Sequence, residues 1–128
     1  MRRFAPAVLA LALLSGCDEL AGDCGACTTE LVYAVVVSVS GPGAAPDASL
    51  VVVSGPSLPP GEVLDCRPSG AAATCGFGLS AGEYVFDVAA PGYRTREAVR
   101  LEVRPALLRD CCDPDYVPAH LDVALEPL

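Results

Sequence analysis

The chain has 128 residues and carries 16 acidic against 8 basic side chains, a formal net charge of −8. A chain of this length is typical of one small domain. An acidic balance of this size disfavours binding to the nucleic-acid backbone and direct electrostatic attachment to anionic lipid. We therefore expect no nucleic-acid partner.

The first 16 residues have the composition of an export signal. The basic segment Met1–Phe4 is followed by the apolar stretch Ala5–Leu14 and then by the small residues Ser15 and Gly16. The apolar stretch is shorter than the roughly 20 residues that a transmembrane helix needs. We therefore interpret residues 1–16 as a cleaved signal peptide.

The signal segment ends in Leu14-Ser15-Gly16-Cys17. This run resembles the lipobox of bacterial lipoproteins, an aliphatic residue and two small residues before an invariant cysteine, at all four positions. The resemblance implies that Cys17 is acylated and becomes the new N-terminus, so that its lipid binds the membrane. We expect an extracytoplasmic, lipid-anchored protein of the bacterial cell envelope, with a mature charge of −10 from six basic and 16 acidic residues.

Seven cysteines are present, and lipidation would use one of them. The remaining even number indicates three disulfides in an oxidising compartment, formed by Cys24, Cys27, Cys66, Cys75, Cys111 and Cys112. Cys66 and Cys75 flank a turn-like segment, so we expect them to bond to each other. A bond between the adjacent Cys111 and Cys112 would be strained. We therefore expect these two cysteines to bond to Cys24 and Cys27, in either order.

The rest of the chain divides into a short tether, residues 17–29, and a β-rich segment, residues 30–128. In the latter, runs rich in valine, leucine and aromatic residues alternate with glycine, proline and serine clusters, which is the pattern of an all-β fold. We predict about seven strands, at residues 30–40, 48–54, 62–66, 72–79, 83–90, 94–104 and 119–126. Their number and spacing favour a single immunoglobulin-like, Greek-key β-sandwich.

Alternation of apolar and polar residues predicts which strand faces are buried. In Glu83–Val88, three apolar side chains share one face: Tyr84, Phe86 and Val88. The segments Val99–Arg104 and Leu121–Glu126 alternate in the same way, so each is expected to have one buried face and one wet face. The segment Tyr33–Val39 is apolar at both odd and even positions, which indicates a central strand rather than an edge strand.

The segment Gly82–Tyr93 reads Gly-Glu-Tyr-Val-Phe-Asp-Val-Ala-Ala-Pro-Gly-Tyr. It resembles the Gly-x-Tyr-x-aliphatic-x-Val-x-Ala-Pro-Gly-Tyr segment of carboxypeptidase regulatory-like domains, and Asp47–Val53 is similar to their first conserved turn and strand. The resemblance implies a prealbumin-like (transthyretin-like) β-sandwich with an accessory role. Pro91-Gly92 is expected to form a turn, and Tyr84 and Tyr93 are interpreted as packing residues.

Two other chemistries of the cysteines are alternatives. Cys24-Gly25-Ala26-Cys27 has the C-x-x-C spacing of thiol redox enzymes, but no βαβ pattern surrounds it. With Cys111 and Cys112, the same pair could supply four thiolates to zinc, although adjacent cysteines are poorly spaced for this and the compartment is oxidising. We expect no catalytic residue, no metal and no other cofactor.

The remaining candidates are acidic residues and one histidine. Asp110, Asp113 and Asp115 lie close together in the sequence but lack the glycine-turned loop of calcium sites, so we expect a solvated acidic loop. The only histidine, His120, is interpreted as a surface residue at a strand end. We therefore expect a non-enzymatic structural or interaction module with an envelope protein or a glycan as partner. Carbohydrate or peptide binding through exposed edges or turns, such as Ser54–Gly61, is an alternative.

Overall fold

The part of the chain that the structure describes consists of β-strands and their connections. The computed structural model describes residues 31–107 and 113–128. In these ranges it has eight strands, β1 (Val35–Ser40), β2 (Ser49–Ser54), β3 (Val63–Asp65), β4 (Arg67–Ser69), β5 (Ala72–Phe77), β6 (Gly82–Ala89), β7 (Arg96–Val103) and β8 (Ala119–Ala124). None of the residues described belongs to a helix long and apolar enough to cross a membrane.

The strands form two sheets of four strands each. Sheet A has the order β4-β5-β1-β8, and sheet B has the order β3-β2-β6-β7. Strands β1 and β8 run parallel, whereas all other neighbours are antiparallel. Side chains from both sheets form one apolar core between them. The prediction of an all-β sandwich is confirmed.

Strand β1 is central in sheet A, as predicted from its apolar residues at both odd and even positions. Val35, Val37 and Val39 are all 0% exposed and face the core. On the opposite face, Val36 and Ser38 are half-buried. β-Branched side chains suit such a strand because they pack well on a pleated surface.

The segment between Cys66 and Cys75 differs from the prediction, because it contains strand β4 as well as a turn. Strands β4 and β5 pair around Gly70, which has a φ of +67° at the first central position, as in a type II′ hairpin turn. Pro68 made the residues before the predicted strand at 72–79 look like a turn. Proline is nevertheless tolerated in β4, because an edge strand has one side where no N–H needs a partner. The described chain therefore has eight strands rather than about seven.

Three aromatic rings join the two sheets in the core. Phe77 of sheet A meets Tyr84 and Phe86 of sheet B edge to face, with ring centroids 5.7 and 5.6 Å apart. Pairs of this geometry contribute about 0.5–1.5 kcal/mol beyond the burial of their area. Tyr84, Phe86 and Val88 are each 0% exposed, so the predicted inward face of β6 is confirmed.

A proline-glycine turn follows β6. The N–H of Tyr93 donates to the carbonyl oxygen of Ala90 (3.1 Å), with Pro91 and Gly92 between them. Gly92 has a φ of +83°, which is the conformation that a type II turn requires at its second central residue. The turn predicted at Pro91-Gly92 is confirmed.

The alternation predicted for the last two strands is also confirmed. Val103 of β7 and Val123 of β8 are buried, whereas Glu102 and Asp122 are exposed. Strand β7 is an edge strand of sheet B, and the chain around β8 pairs with the residues that flank β7. The backbone N–H of Arg94 donates to the carbonyl oxygen of Glu126 (2.8 Å), and the backbone N–H of Val117 donates to the carbonyl oxygen of Arg104 (2.9 Å). These bonds attach the chain around β8 to the residues just before and just after β7.

Candidate functional site

Cys66 lies where the chain leaves sheet B for sheet A. Strand β3 ends at Asp65 and β4 begins at Arg67, and between them the N–H of Cys66 donates to the carbonyl oxygen of Ala48 (3.1 Å). The sulfur atoms of Cys66 and Cys75 lie within bonding distance, with Cα atoms 4.4 Å apart. A bond between them would therefore tie the crossing point of the chain to strand β5.

The other cysteines of the predicted sites lie outside the described residues: Cys17, Cys24, Cys27, Cys111 and Cys112. Lipidation of Cys17 and the pairing of the other four therefore stay predictions, and so do the redox and zinc alternatives. Within residues 31–107 and 113–128, no group of three or more histidine, cysteine or acidic side chains is placed to hold a metal ion.

The acidic loop and the histidine are partly described. Asp110 lies outside the described residues, whereas Asp113 and Asp115 are exposed and each takes part in an interaction. His120 is exposed on β8, in register with Val36 of β1, so its interpretation as a surface residue is confirmed.

Tyr84 and Tyr93 pack against the protein, as predicted. Tyr84 is 0% exposed and its hydroxyl donates to the carbonyl oxygen of Ser80 (2.7 Å). The ring of Tyr93 covers Gly41, where an added Cβ would lie 2.7 Å from the tyrosine Cε1. Both side chains are therefore used in holding the fold.

Tyr33 lies on the outer face of sheet A. Its ring covers Gly76 of β5, where an added Cβ would lie only 2.6 Å from the tyrosine Cδ2. Cys75 and Phe77 point into the core, so Gly76 faces outward. Tyr33 itself is 41% exposed. The result is an accessible aromatic ring held against the backbone of a strand.

A groove of about 480 Å³ lies beside this ring. It is lined by Tyr33, Val36, Asp65, Arg67, Thr74 and Gly76. Strand register explains this grouping, because Arg67 is opposite Thr74 and Val36 is opposite Gly76, and paired residues share a face of the sheet. Arg67 forms no salt bridge with another described residue. The groove therefore presents a guanidinium, a carboxylate and a hydroxyl next to an aromatic ring, and we call it the polar groove.

A second groove, of about 260 Å³, shares Tyr33 and Gly76 with the first. Its other lining residues are Pro56, Ser57, Leu58, Leu64, Phe77, Gly78 and Leu79. Leu79 is 59% exposed although it is a large apolar side chain. We call this the apolar groove. Because the two grooves share lining residues, one ligand could contact both.

Ser57 in the wall of the apolar groove has an unfavourable backbone conformation. It follows Pro56 in a turn closed by a bond from the N–H of Leu58 to Gly55 (3.3 Å), and its φ is +60°. At the equivalent position of the turn after β6 the chain has a glycine, Gly92. A non-glycine residue in this region costs roughly 1–2 kcal/mol, and such residues cluster at functional sites.

Sequence reasoning placed Tyr33 in a strand and assigned no role to Asp65 or Arg67. The one local signal is Gly76, a glycine between two residues that point into the core. Glycine inside a strand often marks a position where another group approaches the backbone closely. It does not identify the group, which here comes from a distant part of the chain.

The fold and the two grooves define a β-sandwich domain with a surface site centred on Tyr33. Comparisons with protein-family models, curated proteins and solved structures found no match for this chain. Its function is therefore argued from its own residues.

Proposed function

We propose that the protein is a lipoprotein of the bacterial cell envelope, anchored by acyl chains on Cys17, whose β-sandwich is a non-enzymatic structural or interaction module. The observation that carries the proposal is the complete match of Leu14-Ser15-Gly16-Cys17 to the lipobox, directly after a basic and an apolar segment. Two or more acyl chains hold a protein stably at a membrane, because each buried methylene contributes about 0.8 kcal/mol.

The placement of Cys66 and Cys75 supports this location. Two cysteines at bonding distance favour a compartment in which disulfides form and persist. With Cys17 used for lipid, the remaining six cysteines can all pair. We propose three disulfides, Cys66 with Cys75 and two more that join Cys24 and Cys27 to Cys111 and Cys112.

The finer description of the fold belongs to the same proposal. The Gly82–Tyr93 segment, whose sequence has the resemblance, forms a strand and a type II turn, and the two sheets have four strands each. Both observations support a prealbumin-like sandwich of the carboxypeptidase regulatory-like kind, in which the module is an accessory to other envelope components.

The intact mass of the protein purified from membranes tests the proposal. Free thiols are alkylated first, and the mass is then measured with and without reduction. We expect a chain that begins at acylated Cys17 and takes up alkyl groups on six cysteines only after reduction. The matched control is Cys17→Ser, which should lose the acyl mass and the membrane association.

Two results would contradict parts of this proposal. A mature chain without acyl mass would remove the anchor, and uptake of label by Cys24 and Cys27 before reduction would replace the disulfide clasp by the redox or zinc alternative. In that second case a thiol-oxidoreductase assay and a zinc analysis of the same preparation would separate the two chemistries.

Ligand binding is a second candidate function, because the two grooves beside Tyr33 could hold a ligand. The sequence predicts binding through exposed edges or turns such as Ser54–Gly61, and Pro56, Ser57 and Leu58 of this segment line the apolar groove. A carbohydrate or peptide ligand would bind there as the partner of the anchored module. Both grooves together are of the size typical of small-ligand sites.

A further inference from the structure

We propose that the polar groove binds a neutral oligosaccharide that carries N-acetyl groups, with Tyr33 as the surface on which one sugar ring rests. This inference deepens the second candidate function and rests on the proposed extracytoplasmic location, where such polymers are found.

The aromatic ring of Tyr33 is held rigidly. Tyr33 is 41% exposed, yet its ring lies against Gly76 with no room for even a Cβ between them. A ring held in place loses little conformational entropy on binding, and this is one reason why tyrosine is common in recognition surfaces. The apolar face of a pyranose can stack on such a ring.

Polar side chains surround the ring of Tyr33. Asp65 can accept hydrogen bonds from sugar hydroxyls, Arg67 can donate several, and Thr74 can do both. Asp65 and Arg67 are exposed. Arg67 forms no salt bridge with another described residue, so a ligand would not have to break one in order to bind. These groups fit the hydroxyls of a sugar, because each hydroxyl can both donate and accept a hydrogen bond.

The charge of the protein favours a neutral ligand. The chain is acidic, with a formal net charge of −8, so an anionic polymer would be repelled as it approached. One acidic and one basic side chain line the polar groove itself. A neutral ligand therefore fits this surface better than a charged one.

The apolar groove indicates which neutral sugar fits. It adjoins the polar groove at Tyr33 and Gly76, and leucine and proline side chains form much of its wall. The methyl group of an acetamido substituent could enter this groove while the ring stays on Tyr33. A sugar with only hydroxyl groups would leave this apolar surface in water.

The experiment uses the mature, membrane-extracted protein in a detergent without a sugar headgroup. Binding of the hexamer of N-acetylglucosamine is measured by titration calorimetry and by saturation-transfer NMR, with the glucose hexamer cellohexaose as the comparison ligand. We expect the N-acetylated hexamer to bind and cellohexaose to bind about tenfold more weakly.

Two pairs of variants test the site. Tyr33→Ala removes the ring, and Gly76→Ala introduces a Cβ that must displace it, so each should weaken binding about tenfold. Their controls repeat the same changes at the second tyrosine–glycine contact, Tyr93→Ala and Gly41→Ala, and should leave the affinity unchanged. Thermal unfolding of all four variants checks that they are folded.

Several outcomes would overturn the inference. It fails if the wild-type protein does not bind the N-acetylated hexamer, if cellohexaose binds equally well, or if the Tyr33 and Tyr93 variants lose affinity equally. Binding of apolar peptides that depends on Tyr33, without binding of either sugar, would assign the grooves to a peptide instead. The mass measurement on the same preparation decides the lipoprotein proposal separately.

Discussion

Tyr116 connects the chain before β8 to the chain before β1. It is 6% exposed, and its hydroxyl donates to the carbonyl oxygen of Val32. Burial raises the pKa of Tyr116 above its ordinary value of 10.0, and the nearby Tyr84 and Asp115 raise this pKa further. The folded state therefore favours the neutral form of the Tyr116 side chain.

This raised pKa predicts a loss of stability in alkali. Well below pH 10 the phenol is protonated in both states, so the free energy of unfolding does not depend on its titration. Above about pH 10 the unfolded chain releases this proton more readily than the folded one, so the free energy of unfolding falls as the pH rises through the folded-state pKa. Urea unfolding of the wild-type protein between pH 8 and 11 should show this fall.

The comparison variant for this measurement is Tyr116→Phe. It loses the hydrogen bond to Val32 and should be about 1 kcal/mol less stable at pH 8. Because it has no phenol at this position, its stability should fall less steeply above about pH 10. Equal slopes for the two proteins would assign the alkaline loss to other groups.

Strand β7 contains a bulge opposite Asp87. Pairing of β6 with β7 shifts register between Phe86 and Val88, and Ala98 has a φ of +52° at this point. Oδ1 of Asp87 accepts a hydrogen bond from the N–H of Ala98 (2.8 Å). The aspartate thus satisfies a donor that the shifted register leaves out of the ladder.

Asp87→Ala is therefore expected to lower the free energy of unfolding by about 1 kcal/mol. The control is Glu83→Ala on the same strand, which removes an exposed ion pair with Arg100 (3.1 Å). Exposed pairs of this kind contribute about 0–1 kcal/mol, so we expect the smaller effect there. Chemical denaturation of both variants measures the two losses in the free energy of unfolding. Equal losses would mean that the hydrogen bond to Ala98 contributes no more stability than the exposed ion pair.

The position of Cys66 matters to the whole sandwich, because the chain changes sheets there. A bond to Cys75 would close a loop with a sequence separation of 9. Closing a loop of about ten residues stabilises a fold by roughly 2–3 kcal/mol, according to the loop-entropy estimate. For a domain of this size that is a large share of a typical free energy of unfolding.

The double variant Cys66→Ala/Cys75→Ala should lose about that much stability under non-reducing conditions, as measured by guanidinium unfolding. The control is the same comparison after reduction. The wild-type protein then lacks this bond too, so the difference between the two proteins should become smaller. A difference that does not change on reduction would show that packing of Cys75, which is 1% exposed, causes the loss instead.

The sequence was sufficient for much of the fold because the relevant signals are local. Alternation with a period of two identifies the inward faces of β6, β7 and β8, and Pro91-Gly92 specifies its own turn. The error at β4 also has a local cause. Pro68 signals a break, and only its place at the edge of sheet A makes a strand possible.

The candidate site could not be derived in this way. Tyr33 precedes the first strand, Asp65 and Arg67 flank the crossing at Cys66, and Gly76 lies in β5. No periodic pattern relates these positions, and each residue type is common on protein surfaces. The sequence by itself determined the all-β class, the cysteine count, the positions of most strands and the buried faces of β6, β7 and β8, since these depend on composition and on neighbours along the chain. Only the tertiary structure decided that a tyrosine covers a glycine beside a carboxylate and a guanidinium, because strand order and register bring together residues that are far apart in the chain.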